Sequence, residues 1–268
     1  MVSLTPTELE EVIWKGKKKK EQPVVELGVT TAYDKLIQEQ QLETLVVPII
    51  GKILPLRYGD TVEIAGAFGS GKTNLCHTIA GWFVKNTNRN VLYIDTERTF
   101  MAQRLKQICG DEELLKRIYT IELITATDLV TFILYSLESV VQEYNVGLLV
   151  IDSMINPFRA EFIGVKELAE RQQILNKCLN TIRKIAKDND VLVILTNQMV
   201  ATPGSYTQNQ PSGGNIMGHF AKYRFLIVKE SDKRKLRVID APCLGKLEVR
   251  FKITDKGCVL VTERKKKN

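Results

Sequence analysis

The stretch Thr61-Val-Glu-Ile-Ala-Gly66-Ala-Phe68-Gly69-Ser70-Gly71-Lys72-Thr73-Asn74 decides the fold. A short apolar run, Val62 to Ala65, stops at Gly66, and Leu75, Ile79 and Phe83 follow at helical spacing. Strand, glycine loop and helix in that order are the context in which Gly-x4-Gly-Lys-Thr acts as a phosphate-binding loop. The glycines let backbone N–H groups converge on phosphate oxygens, and the helix N-terminus adds partial positive charge at the same place. Gly66, Phe68, Gly69, Ser70, Gly71, Lys72, Thr73 and Asn74 are therefore the expected lining of a nucleotide site. Lys72 is expected to reach the β- and γ-phosphates of a nucleoside triphosphate, and the Thr73 hydroxyl to hold Mg²⁺.

The rest of the chain gives this loop room for one large domain. Its 268 residues, 44% hydrophobic and 26% charged, suffice for a full core with short appendages. No apolar run reaches the length of a membrane span, and the first residues lack a charged-then-apolar leader. No membrane association is expected. Five scattered cysteines without C-x-x-C spacing read as core thiols of a reducing, cytoplasmic compartment. The net charge of +7 favours an anionic partner, although its two concentrated runs, Lys15 to Lys20 and Arg264 to Lys267, also read as plain solvated tails.

Residues 1–45 read as an arm: a short helix over Thr5 to Ile13, the lysine run, then a polar helix ending near Gln41. The core is expected over 46–262 and a basic tail over 263–268. Strands are expected at Val91 to Asp95, Ile118 to Ile124, Gly147 to Asp152 and Val191 to Thr196. Helices are expected from Phe100 to Cys109, Asp128 to Tyr144 and Lys166 to Lys187, with a polar loop after Asp152. Uninterrupted apolar strands alternating with helices indicate an α/β fold, a doubly wound and mostly parallel sheet. Residues 201–215 read as loop. Tyr223 to Lys229, Lys235 to Asp240, Leu247 to Ile253 and Val259 to Thr262 read as a C-terminal antiparallel extension.

Three strand ends carry candidate chemistry. Asp152 is placed to hold Mg²⁺ as a strand-end carboxylate downstream of the loop. Glu97 is placed to polarise the attacking water, and Asp95 satisfies the same spacing. Asn197 and Gln198 end a strand before the glycine-rich stretch, where an amide can touch the γ-phosphate and move the loop, or simply cap the strand. These residues alone describe a Mg-dependent nucleoside triphosphatase whose purpose stays open.

The segments then resemble the archaeal RadA recombinases and their eukaryotic relatives, RecA-like strand-exchange ATPases, over most of residues 24–262. Residues 66–78 are similar to the family's phosphate loop. Tyr93-Ile-Asp-Thr-Glu97 resembles the segment whose glutamate activates water, which selects Glu97. Residues 158–164 and 168–173 resemble the first DNA-binding loop and the helix after it, implying Arg159, Lys166 and Arg171 as DNA contacts. Residues 196–198, the flexible loop with Tyr206, and Gly213 to His219 resemble the second, implying Tyr206, Gly213 and Gly214. Arg104 stands where the family stacks an arginine on adenine. Ile239-Asp240-Ala-Pro242 resembles the cap that one subunit places over its neighbour's ATP. Gly28-Val29-Thr-Thr-Ala32 resembles the polymerisation motif, implying Val29 and Ala32 at a subunit interface. The resemblance implies Glu97, Lys72 and Gln198 as the catalytic set, ATP and Mg²⁺ as cofactors, single-stranded DNA as partner and a nucleoid-associated location.

The departures shift the expected role. Only about 25 residues precede the matching region, too few for the family's N-terminal helix-hairpin-helix domain. Val29 replaces a buried Phe, Val165 and Lys166 replace Arg-Gly in the first loop, and an Arg-Pro pair is lost before Arg104. Gly245 and Lys246 replace a proline and an acidic residue of the cap. The sequence is therefore read as a RadA paralog or mediator of recombination that assists a full-length recombinase and self-associates weakly. A principal, filament-forming recombinase and a small-molecule P-loop kinase are the alternatives.

Overall fold

The computed structural model describes residues 30–161, 168–201, 209–242 and 244–261. The helix expected over Thr5 to Ile13, both lysine-rich runs, Val29, Lys166 and Tyr206 lie outside them.

Contacts divide the chain into two units between Gln41 and Leu42. In the first, α1 (Ala32–Gln41) buries no residue. It starts where it does because the Thr31 hydroxyl accepts from the Asp34 N–H (3.1 Å) and donates to the Asp34 carboxylate (2.7 Å).

The second unit opens with β1 (Thr44–Leu45) and β2 (Leu56–Arg57), an antiparallel ribbon. Leu45 is buried, so the core takes in residues that the sequence reading assigns to the arm. There follow β3 (Thr61–Gly66), α2 (Lys72–Asn86), β4 (Asn90–Asp95), α3 (Ala102–Cys109) and β5 (Ile118–Glu122). Next come α4 (Ala126–Tyr135), α5 (Leu137–Glu143), β6 (Val146–Asp152), α6 (Asn156–Glu161) and α7 (Leu168–Asp188). The chain ends with β7 (Leu192–Ala201), β8 (Asn209–Pro211), α8 (Gly214–Phe220), β9 (Tyr223–Glu230), β10 (Lys233–Asp240), β11 (Glu248–Thr254) and β12 (Gly257–Leu260).

The main sheet runs β12-β11-β10-β9-β3-β7-β6-β4-β5, with β8 paired to β7. From β9 to β5 all pairings are parallel. Strand β6 shows why. Leu148 and Val150 pack into the core on one face, with Leu75, Ile79 and Phe83 of α2. Leu149 and Ile151 pack into the core on the other face, with Leu129, Leu175 and Leu179 of α4 and α7. A strand apolar from Val146 to Ile151 is buried on both sides, as a parallel sheet between helical layers requires.

Four local expectations are corrected. The helix expected from Asp128 to Tyr144 is two helices, broken at Ser136 (φ −124°, ψ −28°), whose N–H still closes α4 on the Phe132 carbonyl. Thr125 caps α4 by accepting from the Asp128 N–H (3.0 Å). The polar loop after Asp152 contains α6, whose Glu161 carboxylate accepts from the Ala126 N–H (2.8 Å) at the start of α4. Residues 201–215, read as loop, contain β8, because pairing Ala201 with Asn209 and Met199 with Pro211 supplies the backbone partners that this polar stretch lacks by itself. Finally, β9 belongs to the parallel sheet through β3, so the antiparallel extension starts at β10.

Candidate functional site

Register brings the chemistry together. Gly66 of β3 pairs with Gln198 of β7, and Asp95 of β4 with Asp152 of β6, so these residues stand at the carboxyl ends of adjacent parallel strands. Open α/β sheets bind ligands there. A cleft of about 310 Å³ lies at this edge, lined by Phe68, Gly69, Gly71, Lys72, Thr73, Asn74, Glu97, Thr99, Asp152, Gln198, Arg234 and Ile253.

The loop between β3 and α2 accepts no side chains at its glycines. Gly71, the N-cap of α2, has φ +106°, and a Cβ there would stand 2.9 Å from Ile253 Cδ1. At Gly66 a Cβ would stand 2.4 Å from Ser70 Oγ. Lys72 Nζ donates to the carbonyls of Gly66 (3.0 Å) and Ala67 (3.1 Å). Burial lowers the Lys72 ammonium pKa from its ordinary value, and Asp152 and Glu97 oppose the shift. Phe68 projects from the loop, 96% exposed.

Asp152, almost fully buried, is held from three directions. Thr73 Oγ1 (2.7 Å) and Tyr93 OH (2.8 Å) donate to its Oδ2, and Thr196 Oγ1 donates to its Oδ1. Burial, then Asp152, pushes the Tyr93 hydroxyl well above its usual range, which keeps it a donor. Beside Tyr93 lies His77, its ring 5.4 Å from those of Tyr93 and Phe100. Burial lowers the His77 pKa to about 4, with Asp152 opposing.

The two carboxylates that sequence spacing leaves equivalent have different surroundings. Asp95 accepts from the N–H groups of Glu97 (3.0 Å) and Phe100 (2.8 Å), bracing the turn after β4. Glu97 faces the cleft, where its Oε1 accepts from Ser153 Oγ (2.6 Å) and Gln198 Nε2 (3.0 Å). The two amides diverge as well. Gln198 lines the cleft, whereas Asn197 is fully buried and donates to Glu63 Oε1 (2.6 Å) and the Ser212 carbonyl (2.7 Å). Glu63 also pairs with Arg224 of β9.

Other expected site residues lie outside this cleft. Arg104 bonds to Asn74 Oδ1 (3.1 Å) and to the carbonyls of Thr254 and Asp255, so its guanidinium braces the turn between β11 and β12. Asp240 and Pro242 are exposed, as is Ala32. Arg159 is exposed on α6, and Arg171 is half-buried on α7. Gly213 (φ +83°) and Gly214 (φ +57°) open α8. A Cβ at Gly213 would stand 2.5 Å from Met217 Cγ and 3.0 Å from Ile155 Cδ1, just before α6. The turn at Gly213 is thus packed against the residue that precedes α6. The exposed His219 gives its carbonyl to Arg183 (2.7 Å).

Sequence reasoning missed Ser153, Tyr93 and Arg234. Ser153 follows the strand-end Asp152 and carries a signal only in hindsight of Glu97. Arg234 lies in a run of basic residues that nothing in the sequence ranks.

The loop suits a nucleotide phosphate tail. Among the described residues Ser70 Oγ and Arg234 Nε are buried donors without a hydrogen-bond partner, and both border the glycine cradle. Hard oxygen donors, Thr73 and Asp152, lie beside it, as Mg²⁺ requires. Among the described residues no group of three or more His, Cys, Asp or Glu side chains forms a metal site by itself. A cation here would share its ligands with phosphate oxygens. No helix among the described residues is long and apolar enough to cross a membrane.

Comparison with known proteins gives two findings. The Rad51 family pattern matches residues 55–260. The DNA repair and recombination protein RadA of Aeropyrum pernix is 36% identical over 208 residues, covering 73% of this chain and 65% of that protein. The chain therefore spans just under two thirds of that relative's length.

Proposed function

We propose, on the premise that this chain belongs to the Rad51 family of RecA-like ATPases, that it is an ATP-dependent single-stranded-DNA-binding protein of homologous recombination and repair. The observation that carries this reading is the divergence of two adjacent amides on β7. Gln198 bonds the cleft carboxylate Glu97 (3.0 Å), while Asn197 holds the Ser212 carbonyl (2.7 Å), where the chain returns from residues 202–208. A contact made or lost at the γ-phosphate would shift β7 and, with it, the base of the second DNA loop.

In this reading Glu97 takes the proton of the attacking water, oriented by Ser153 and Gln198. Lys72 leaves the Gly66 and Ala67 carbonyls to meet phosphate oxygens. Thr73 and Asp152 would hold Mg²⁺, which neutralises phosphate charge when bound. Arg104 braces the base end through Asn74, and Asp240 and Pro242, exposed on their own subunit, would cap a neighbour's nucleotide. Arg159, Lys166, Arg171 and the segments around Tyr206, Gly213 and Gly214 would grip DNA phosphates with bases left largely unread.

We further assign the role of paralog or mediator, assisting a full-length recombinase, rather than principal strand exchanger. Val29, Val165, Gly245 and Lys246 support it, because each replaces a residue type that strengthens subunit or DNA contact. Residues 1–41 would serve as the self-association arm, the unit from Leu42 to residue 262 as the ATPase core and 263–268 as a basic tail. Anisotropy of a labelled single-stranded oligonucleotide, read with ADP and with a slowly hydrolysed ATP analogue, tests the reading. Tighter binding with the analogue is expected, and equal binding overturns it.

A further inference from the structure

We infer that Arg234 of β10 is a phosphate-binding residue of its own chain's cleft, contacting the α- and β-phosphates that ATP and ADP share. The inference rests on the nucleotide reading above and adds to it a residue far from the phosphate loop in sequence.

Position is the first argument. Arg234 lines the cleft with Lys72 and Thr73, and its Nε would stand 3.8 Å from a Cβ built on Gly71. Gly71 caps α2, and the N–H groups of such a loop cradle the α- and β-phosphates. Glu97 and Gln198, by contrast, mark the end where the γ-phosphate reacts.

Partnering is the second. Among the described residues Arg234 Nε is buried with no hydrogen-bond partner, and the guanidinium donates there only through Nη1, to the Asp232 carbonyl at 3.2 Å. Several basic neighbours on the sheet are paired: Lys235 with Glu230 and Glu248, Arg237 with Glu248, Arg250 with Glu230, Arg224 with Glu63. Lys229, Lys233 and Lys252 are exposed to water instead, which Arg234 Nε is not. Among the described residues Arg234 forms no ion pair. A buried guanidinium N–H without an acceptor is costly, and phosphate oxygens supply a planar, bidentate match.

Charge is the third. The ionisable side chains lining the cleft are Lys72 and Arg234, positive, and Glu97 and Asp152, negative. Without Arg234 the cleft would be net negative toward a ligand that is itself strongly anionic.

Titration of the full chain with N-methylanthraniloyl-ADP and the corresponding ATP probe tests this in wild type, Arg234→Gln, Arg234→Lys and Lys72→Ala. Arg234→Gln is expected to weaken both probes alike, by about 10- to 100-fold, the range for a charged hydrogen bond. Arg234→Lys is expected to recover part of the loss, having charge without the fork. Circular dichroism without nucleotide should show Arg234→Gln folded as wild type. If it is not, Arg234→Lys decides, and wild-type affinity there overturns the assignment. Wild-type affinity in Arg234→Gln, or a loss confined to the ATP probe, also overturns it. A wild type that binds neither probe, or a Lys72→Ala that binds like wild type, overturns the nucleotide reading itself.

Discussion

Glu97 presents a single oxygen to both Ser153 and Gln198, which fixes the carboxylate's plane in the cleft. In the proposed role of general base, Glu97 is replaceable in shape but not in charge. Glu97→Gln is expected to keep nucleotide affinity while phosphate release falls by about 10²- to 10⁴-fold. Unchanged turnover would remove Glu97 from the reaction. A second residue-scale prediction concerns His77, whose pKa burial lowers to about 4. Between about pH 6.5 and pH 4 the unfolded chain binds a proton that the folded chain refuses, so stability falls as pH drops through that window. At about pH 5 the loss is about 2 kcal/mol relative to neutral pH. Urea midpoints at both pH values check it, and His77→Gln should narrow the difference. Lys72 and Thr73 were legible as cleft residues because spacing along one strand, loop and helix fixes their position, and Asp152 because it closes a separate apolar strand. Arg234 was not. Its role depends on β10 reaching the loop through β9 and β3, and no local pattern records that.

At the scale of elements, Glu63 ties three strands together. It is fully buried in β3, accepts from Asn197 of β7, and pairs with Arg224 of β9. Truncating one partner of such a group strands a buried charge. Arg224→Ala is expected to destabilise the fold by about 3–5 kcal/mol in urea denaturation. The double replacement Glu63→Leu with Arg224→Leu should regain much of that, since an apolar pair of similar size avoids the desolvation cost. Loss equal to or greater than that of the single variant would mean that a stranded charge is not the cause. The alternation of apolar strands and helices gave the parallel sheet from sequence, because double burial leaves few polar residues in β3, β6 or β7. The break at Ser136 and the short elements α6 and β8 escaped that reading. Their causes are tertiary: Glu161 anchoring on Ala126, and β7 supplying backbone partners to Asn209 and Pro211.

Across the whole molecule, segments from Gly66 to Gln198 converge on one sheet edge although more than a hundred residues separate them. Position at the strand ends made that convergence legible, and the family resemblance chose Glu97 over Asp95, which spacing alone left level. The arm belongs to the same scale. Val29→Phe is expected to promote self-association, read by sedimentation velocity, because a buried aromatic anchors far more contact area than valine. Arg159→Ala should weaken DNA binding similarly for all sequences and flatten the salt slope by about one unit. The central claim is that a triphosphate seated by Lys72 governs the grip on unpaired DNA. The most direct measurement is oligonucleotide affinity at fixed salt in nucleotide-free, ADP and ATP-analogue samples, for wild type and Lys72→Ala. The account predicts that wild type binds most tightly with the analogue and that Lys72→Ala loses the distinction. Equal affinity in all three wild-type samples would contradict it.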